Sequence, residues 1–329
     1  MAFSRIGRID RASTRTRTVM RILIDITAHD WMDPGSFRQR VPGIPDRDIR
    51  FYPEFGDPEK IAMLACDRLR PGLVQQLPNL MLIQKLGAGV DTMLADPDLG
   101  PDIRVARLRH PGIATEMARY CVALVTGDMH HLDHFRGMQG DSMWMPVAPK
   151  RPEDLRVGVL GLGHIGAVIA RMFADTGLQV LGWSRTPKAL EGIDCVSGES
   201  GLAELLSACD YISCVLPSTP ETSGLLNMDR FRSMKAQSML INIGRGSLLI
   251  ESDLLEALDR GYLRRAVLDV FTVEPLPKSS RLWHHPCVTV TPHVSGWHVE
   301  EGLKVVEDNF RRLMSDMPIL NEINRDIGY

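Results

Sequence analysis

Apolar runs and polar breaks alternate regularly through the second half of this chain. Arg156-Val-Gly-Val-Leu160 reads as a short buried strand, and His164 to Thr176 as a helix that stops at Gly177. Gln179 to Trp183 reads as a second strand, Leu202 to Ala208 as a short helix, and Tyr211 to Leu216 as a third strand. Ser238 to Ile243 predicts a fourth strand. Asp253 to Arg260 predicts a helix with Leu254, Leu255 and Leu258 on one face and Gly261 as its stop. Arg265 to Val270 and Cys287 to Thr291 complete the strands. Strands that alternate with helices imply a parallel sheet covered on both faces.

The first half repeats this rhythm less clearly. Arg21 to Asp25 reads as a strand, Asp57 to Leu69 as a helix, and Asn79 to Gln84 and Ile103 to Ala106 as strands. Thr115 to about His134 reads as one long helix, and Gly137 to Pro152, rich in Met, Pro and Gly, as a loop or arm. After His293 a helix is expected from about Val299 to Met314, without a sign of which domain it joins.

A chain of 329 residues has room for two domains. No apolar run is long enough to cross a bilayer, and the first twenty residues lack the apolar centre of a secretory signal. Residues 1–19 carry Arg5, Arg8, Arg11, Arg15 and Arg17 against Asp10. Such a leader resembles a transit peptide, but it has no amphipathic period. The favoured reading is a disordered extension, or a start placed too early, with Met20 as the functional start. The net charge of the whole chain is −3, so the remainder is acidic, which argues against nucleic acid as a partner. Six cysteines form no C-x-x-C pair and read as reduced core residues of a cytoplasmic protein.

Candidate chemistry begins at Gly161-Leu-Gly-His-Ile-Gly166, which matches G-x-G-x-x-G. The pattern alone is weak, but here it follows a strand and opens a helix. The first glycine permits the turn, the second lets backbone approach a pyrophosphate, and the third lets helix and strand pack closely. Gly161, Leu162, Gly163, His164, Ile165 and Gly166 are therefore expected to bind a dinucleotide. The next strand runs into Ser184-Arg-Thr186, then Pro187 and Lys188, with no acid before Glu191. A carboxylate there would hold a ribose 2′-hydroxyl, whereas an arginine suits a 2′-phosphate. NADPH is thus expected over NADH, with Ser184, Arg185 and Thr186 as contacts. The alternative is that Arg185 is a solvated surface charge.

Three residues follow successive strand ends downstream. Arg245 lies in Asn242-Ile-Gly-Arg-Gly246, Glu274 in Asp269-Val-Phe-Thr-Val-Glu-Pro275, and His293 in Thr291-Pro-His-Val294. Ligands of open parallel sheets bind beyond the carboxyl ends of the strands. Reduction of a 2-oxo acid needs a cation for the carboxylate, a proton donor for the carbonyl, and a group that keeps the donor charged. Arg, His and Glu supply these in turn, since a carboxylate beside His favours imidazolium. Taken singly, each residue could be a surface charge or a turn cap.

With these motifs the chain resembles the D-2-hydroxyacid dehydrogenase family over about residues 20–325. The pattern is carried by Gly161-Leu-Gly-His-Ile-Gly166, Asn242-Ile-Gly-Arg-Gly-Ser247, Leu268-Asp-Val-Phe-Thr-Val-Glu-Pro275 and Thr291-Pro-His293. Trp183-Ser-Arg-Thr186, Leu86-Gly-Ala-Gly-Val-Asp91 and Glu274-Pro-Leu-Pro277 resemble the branch that reduces glyoxylate and hydroxypyruvate. The resemblance implies an α/β fold of two Rossmann-like domains with parallel sheets. Residues 20–114 and 295–329 would form a substrate domain, and residues 115–294 an inserted dinucleotide-binding domain. It implies that Arg245 binds the substrate carboxylate and carbonyl, that His293 donates the proton, and that Glu274 pairs with His293. Leu86, Gly87, Ala88 and Gly89 would offer backbone N–H groups to the carboxylate, Asp269 would hold the nicotinamide carboxamide, and Leu216, Pro217, Ile243 and Gly244 would complete the cofactor set. It also implies a homodimer with Trp144 on an arm that reaches the partner's site. Trp297 and His298 depart from the pattern, where smaller or aliphatic residues are usual, and leave the exact acid open.

His130, His131 and His134 cluster on the long helix, but nothing completes a metal signature, so no metal is expected. Two rival readings stand beside the reductase. One is another dehydrogenase of the same family acting on a bulkier or phosphorylated acid, with Arg38, Arg40 and Arg109 as candidate cations. The other is a dinucleotide-sensing binding protein that kept the fold.

Overall fold

A computed structural model of the chain describes residues 20–27, 32–109, 111–298 and 300–325. The basic leader 1–19 lies outside the described residues. Among the described residues, no helix is long and apolar enough to cross a membrane. The chain forms two compact units.

The first unit comprises the described residues up to Leu86, with Ala95–Arg107 and Lys304–Glu322. Its sheet has five parallel strands in the order Ile49–Phe51, Arg21–Asp25, Ile61–Cys66, Leu82–Lys85 and Arg104–Arg107. The middle strand corrects one expectation. Residues 57–69 read as a helix, but the chain makes a 3-10 turn at Pro58–Lys60, capped by Asp57, and then the strand Ile61–Cys66. All six residues of that strand are buried. A strand covered on both faces is an unbroken apolar run, so it lacks the alternation that marks a strand. The tail finds its place here too. Helix Lys304–Met314 buries Val306 and Phe310, and the amide of Asn309 joins Gln84 Oε1 at 2.8 Å to Leu320 O at 3.0 Å. The tail therefore completes the first unit.

The second unit comprises Gly87–Leu94, Leu108–Leu303 and the described residues from Ile323 on. Its sheet has seven parallel strands. The order is Val288–Val290, Arg265–Leu268, Met239–Asn242, Tyr211–Cys214, Arg156–Leu160, Gln179–Ser184 and Asp194–Ser197. Strand order reverses at Arg156–Leu160, where Leu160 pairs with Trp183 on one side and Cys214 on the other. That reversal is the switch point at which such sheets bind ligands. Helix His164–Asp175 buries Ile169, Ala170 and Phe173 against the sheet.

The long helix expected from Thr115 to His134 is two helices, Pro111–Met129 and Leu132–Gly140. The break falls at His131, whose φ of 56° is left-handed and ends the hydrogen-bond ladder. The expected loop from Gly137 is helical as far as Gly140, and irregular only after Asp141 and Ser142. Short elements that lack a full period were absent from the sequence reading, among them Pro34–Arg40, Asp194–Ser197 and Met228–Ser233.

Candidate active site

The glycine loop turns sharply after Leu160. Gly161 has a φ of +108°, a region that favours glycine, and a Cβ there would press on the carbonyl of Val215 at 3.2 Å. A Cβ at Gly166 would overlap the carbonyl of Gly161, so helix and turn pack in contact only because the residue is glycine. At Gly163 a Cβ would meet no atom of the chain within 4 Å. Gly163 is the N-cap of helix His164–Asp175, and no side chain caps that end. Uncapped first-turn N–H groups beside a position without a side chain suit a pyrophosphate. These residues therefore fit a dinucleotide.

At the end of the next strand, the buried Ser184 donates its hydroxyl to Thr186 O at 2.8 Å, while Arg185 and Thr186 are exposed. Lys188 donates to Leu162 O at 2.7 Å, tying this turn to the glycine loop. Leu216 packs against Gly161, and a Cβ at Gly244 would meet Leu216 O at 2.8 Å, so the turns after two neighbouring strands lie against each other.

Arg245 leaves the strand Met239–Asn242 on a turn braced by Asn242, which donates to Arg245 O at 2.9 Å. Its Nε donates to Asp91 Oδ1 at 2.8 Å and its Nη1 to Gly244 O at 2.6 Å. Gly89 lies directly against the guanidinium, where a Cβ would overlap Nη2. The Gly87–Gly89 segment and Arg245 are thus brought together. Leu86, which ends the first unit's contribution, bonds its amide to Cys66 O at 2.8 Å and is buried. A Cβ at Gly246 would overlap the backbone of Phe271 and Thr272, so the second glycine of the motif lets the Arg245 turn meet the Glu274 turn.

Glu274 and His293 form a pair, with Nδ1 2.8 Å from Oε2. The other carboxylate oxygen accepts from the Phe271 amide at 3.0 Å. Burial alone would raise the Glu274 carboxyl. The hydrogen bonds of His293 and Phe271, with the charges of His293 and Arg245, outweigh this and hold it below its ordinary value. A donor at Nδ1 directs Nε2 away from the carboxylate. Asp269 is fully buried, and its oxygens accept from Thr291 Oγ1 at 2.6 Å and from the amides of Val294 and Ser295, both at 2.9 Å.

Trp144 stands outside this group. It is 97% exposed on the irregular stretch after Leu132–Gly140. Sequence reasoning missed the roles of Asp91, Asn242 and Gly246, although all three lie in or beside motifs it had singled out. His131 Nε2 lies 3.0 Å from Ala148 O. Among the described residues, no group of three or more His, Cys, Asp or Glu side chains is placed to hold a metal ion. A cavity of about 480 Å³ lies at the other end of the sheet, where the strands begin. Asp128, Lys150, Tyr211 and Arg264 in its wall are already bonded to one another, so it does not compete as the reaction site.

Comparison with known proteins places the chain in a family. Residues 122–295 match the family model of the D-isomer specific 2-hydroxyacid dehydrogenase NAD binding domain. Glyoxylate/hydroxypyruvate reductase A of Photorhabdus laumondii is 37% identical over 250 residues, covering 74% of this chain and 80% of that protein. A D-isomer specific 2-hydroxyacid dehydrogenase from Xanthobacter autotrophicus Py2, solved with NADPH and MES, is similar with a TM-score of 0.87 and 35% identity, over 94% of this chain and 100% of that one. An NADPH-dependent glyoxylate/hydroxypyruvate reductase from Sinorhizobium meliloti, solved with NADP and sulfate, gives a TM-score of 0.86 and 29% identity, again over 94% and 100%. With motif, fold and relatives in agreement, the chain belongs to the D-isomer specific 2-hydroxyacid dehydrogenase family and is an NAD(P)-dependent oxidoreductase.

Proposed function

We propose that this enzyme reduces glyoxylate or hydroxypyruvate to the 2-hydroxy acid with NADPH. The observation that carries the reading is the Glu274–His293 pair at 2.8 Å, with Arg245 at the carboxyl end of an adjacent strand. Bound NADPH supplies a hydride to the carbonyl carbon. Arg245 binds the carboxylate and carbonyl oxygen, and the Leu86–Gly89 backbone adds N–H donors to the carboxylate. His293 passes a proton to the carbonyl oxygen as it becomes a hydroxyl, and Glu274 holds the ring and favours its charged form. One hydride and one proton thus convert the 2-oxo acid to the 2-hydroxy acid.

Residues 115–294 serve the dinucleotide in this reading, and the flanking segments 20–114 and 295–329 serve the substrate. Asp269 would face the nicotinamide carboxamide. The preference for NADPH is supported by Ser184, Arg185 and Thr186, with no acid before Glu191. It is also supported by the relatives solved with NADPH or NADP. The working form is a homodimer, supported by Trp144, whose nearly complete exposure on an irregular stretch suits a partner's surface. Six free cysteines, four of them buried, support a reducing, cytoplasmic setting.

Steady-state rates with NADPH and NADH on glyoxylate, hydroxypyruvate, pyruvate and 3-phosphohydroxypyruvate test the reading. The highest kcat/KM is expected for glyoxylate or hydroxypyruvate with NADPH. A preference for NADH, or for the phosphorylated acid, would overturn it.

A further inference from the structure

The segment that carries His293 rests on one stripe of the helix Pro111–Met129. Ile113, Glu116, Met117 and Tyr120 are spaced three, four and seven residues along the helix, so they share a face. Each of them meets the segment from Thr291 to His298. Gly296 packs on Ile113 and Met117, where a Cβ would come within 3.0 and 3.1 Å. Glu116 accepts from the His298 amide at 3.0 Å and lies 2.7 Å from its Nδ1. Tyr120 Oη lies 2.7 Å from Thr291 Oγ1.

The direction of that last bond follows from its neighbour. Thr291 has one hydroxyl hydrogen, and it goes to Asp269 Oδ1 at 2.6 Å. Tyr120 is therefore the donor at its own end. Burial pushes the Tyr120 hydroxyl up to about 12, so it keeps its proton through the neutral range. The chain of donors ends on a buried carboxylate that also grips the amides of Val294 and Ser295. His293 sits between these anchor points with a φ of 57°. A positive φ is uncommon outside glycine, although histidine tolerates it better than most residues, and the anchors on both sides hold the backbone there.

We propose that Tyr120 and Thr291 are positioning residues for the reaction: their hydrogen-bond chain to Asp269 fixes the backbone on both sides of His293 and so sets where its ring is presented. Neither residue needs to touch substrate or cofactor for this role. The inference rests on the reading of His293 as the proton donor.

The test compares kcat, KM for hydroxypyruvate, NADPH dissociation constant and thermal midpoint for the full chain, Tyr120→Phe, Thr291→Val, Thr291→Ser and the Tyr120→Phe/Thr291→Val double variant. Tyr120→Phe and Thr291→Val should each lower kcat about fivefold, the scale of one hydrogen bond, with NADPH binding unchanged. Thr291→Ser keeps the hydroxyl and should recover most of the loss. The double variant should lose no more than the worse single, because both break one chain. Wild-type kcat in Tyr120→Phe and Thr291→Val would overturn the proposal, as would a Thr291→Ser variant no better than Thr291→Val. So would a fall in thermal midpoint while the folded fraction turns over at the wild-type rate. His293→Gln is measured alongside. If it retains turnover, the proton-donor reading itself fails; if it is inactive while the other variants are unaffected, only the positioning role fails.

Discussion

His293 Nδ1 lies 2.8 Å from Glu274 Oε2, although the two residues follow different strands and stand nineteen positions apart. The second oxygen of Glu274 is held by the Phe271 amide, so the carboxylate cannot turn away without losing that bond. In the proposed reaction this geometry would make His293 an oriented proton donor with Glu274 as its support.

Its pH behaviour follows from the carboxylate. Burial would raise Glu274, but its hydrogen bonds and nearby positive charges hold it below 4.5. The carboxylate therefore persists on the acid side, and this group should cause no loss of reductase rate until the pH falls below that value. Glu274→Gln removes the charge and keeps the shape. It should lower kcat roughly tenfold or more and remove the acid-side loss that protonation of the carboxylate causes, because an amide does not titrate there. A pH–rate profile of both proteins checks this, and an unchanged acid limb in the variant would contradict it.

Gly89 has no room for a side chain beside Arg245. The guanidinium is held by Asp91 and by Gly244 O, so it cannot retreat without losing those bonds. Gly89→Ala should raise KM for the 2-oxo acid about tenfold, on the scale of one charged hydrogen bond, and leave NADPH binding unchanged. Kinetics with each reactant varied in turn will show whether the loss is confined to the acid.

Arg185 is exposed just beyond the strand Gln179–Ser184. If it meets a 2′-phosphate, Arg185→Ala should raise KM for NADPH about tenfold or more and change KM for NADH little. Equal effects on the two cofactors would exclude that contact.

Asp128 is a stability test away from the chemistry. Burial alone would raise it, but hydrogen bonds from Arg264, Lys150 and Tyr211 bring it down to about 2. A carboxylate depressed on folding stabilises the protein above its unfolded value, and that contribution is lost as pH falls through the folded value. Asp128→Asn should therefore cost roughly 2 kcal/mol at about pH 7, the difference shrinking between about pH 4 and 2. Thermal unfolding of both proteins across that range measures it.

Much of the site was legible because its signals are local. Gly161, Gly163 and Gly166 follow a strand and open a helix within a few residues; Gly161 answers a positive φ and Gly166 a close contact with the turn, while Gly163 leaves open space. Arg245, Glu274 and His293 each stand just past a strand end, so the parallel-sheet rule alone gathered them at one edge. Asp91 escaped notice because it is 154 positions from its partner Arg245. The Tyr120–Thr291 bond, spanning 171 positions, was illegible for the same reason. The strand Ile61–Cys66 was mistaken for a helix because it is buried on both faces and shows no period at all.

By itself, the sequence determined the alternation of strands and helices, the phosphate-binding turn and the residue types at the strand ends, because each depends on backbone sterics and neighbours a few positions away. Only the tertiary structure decided the order of the strands, the unit to which the tail belongs, the break at His131 and the pairing of Arg245 with Asp91. Those depend on which distant surfaces bury each other, and side-chain periodicity along one segment carries no record of its partner.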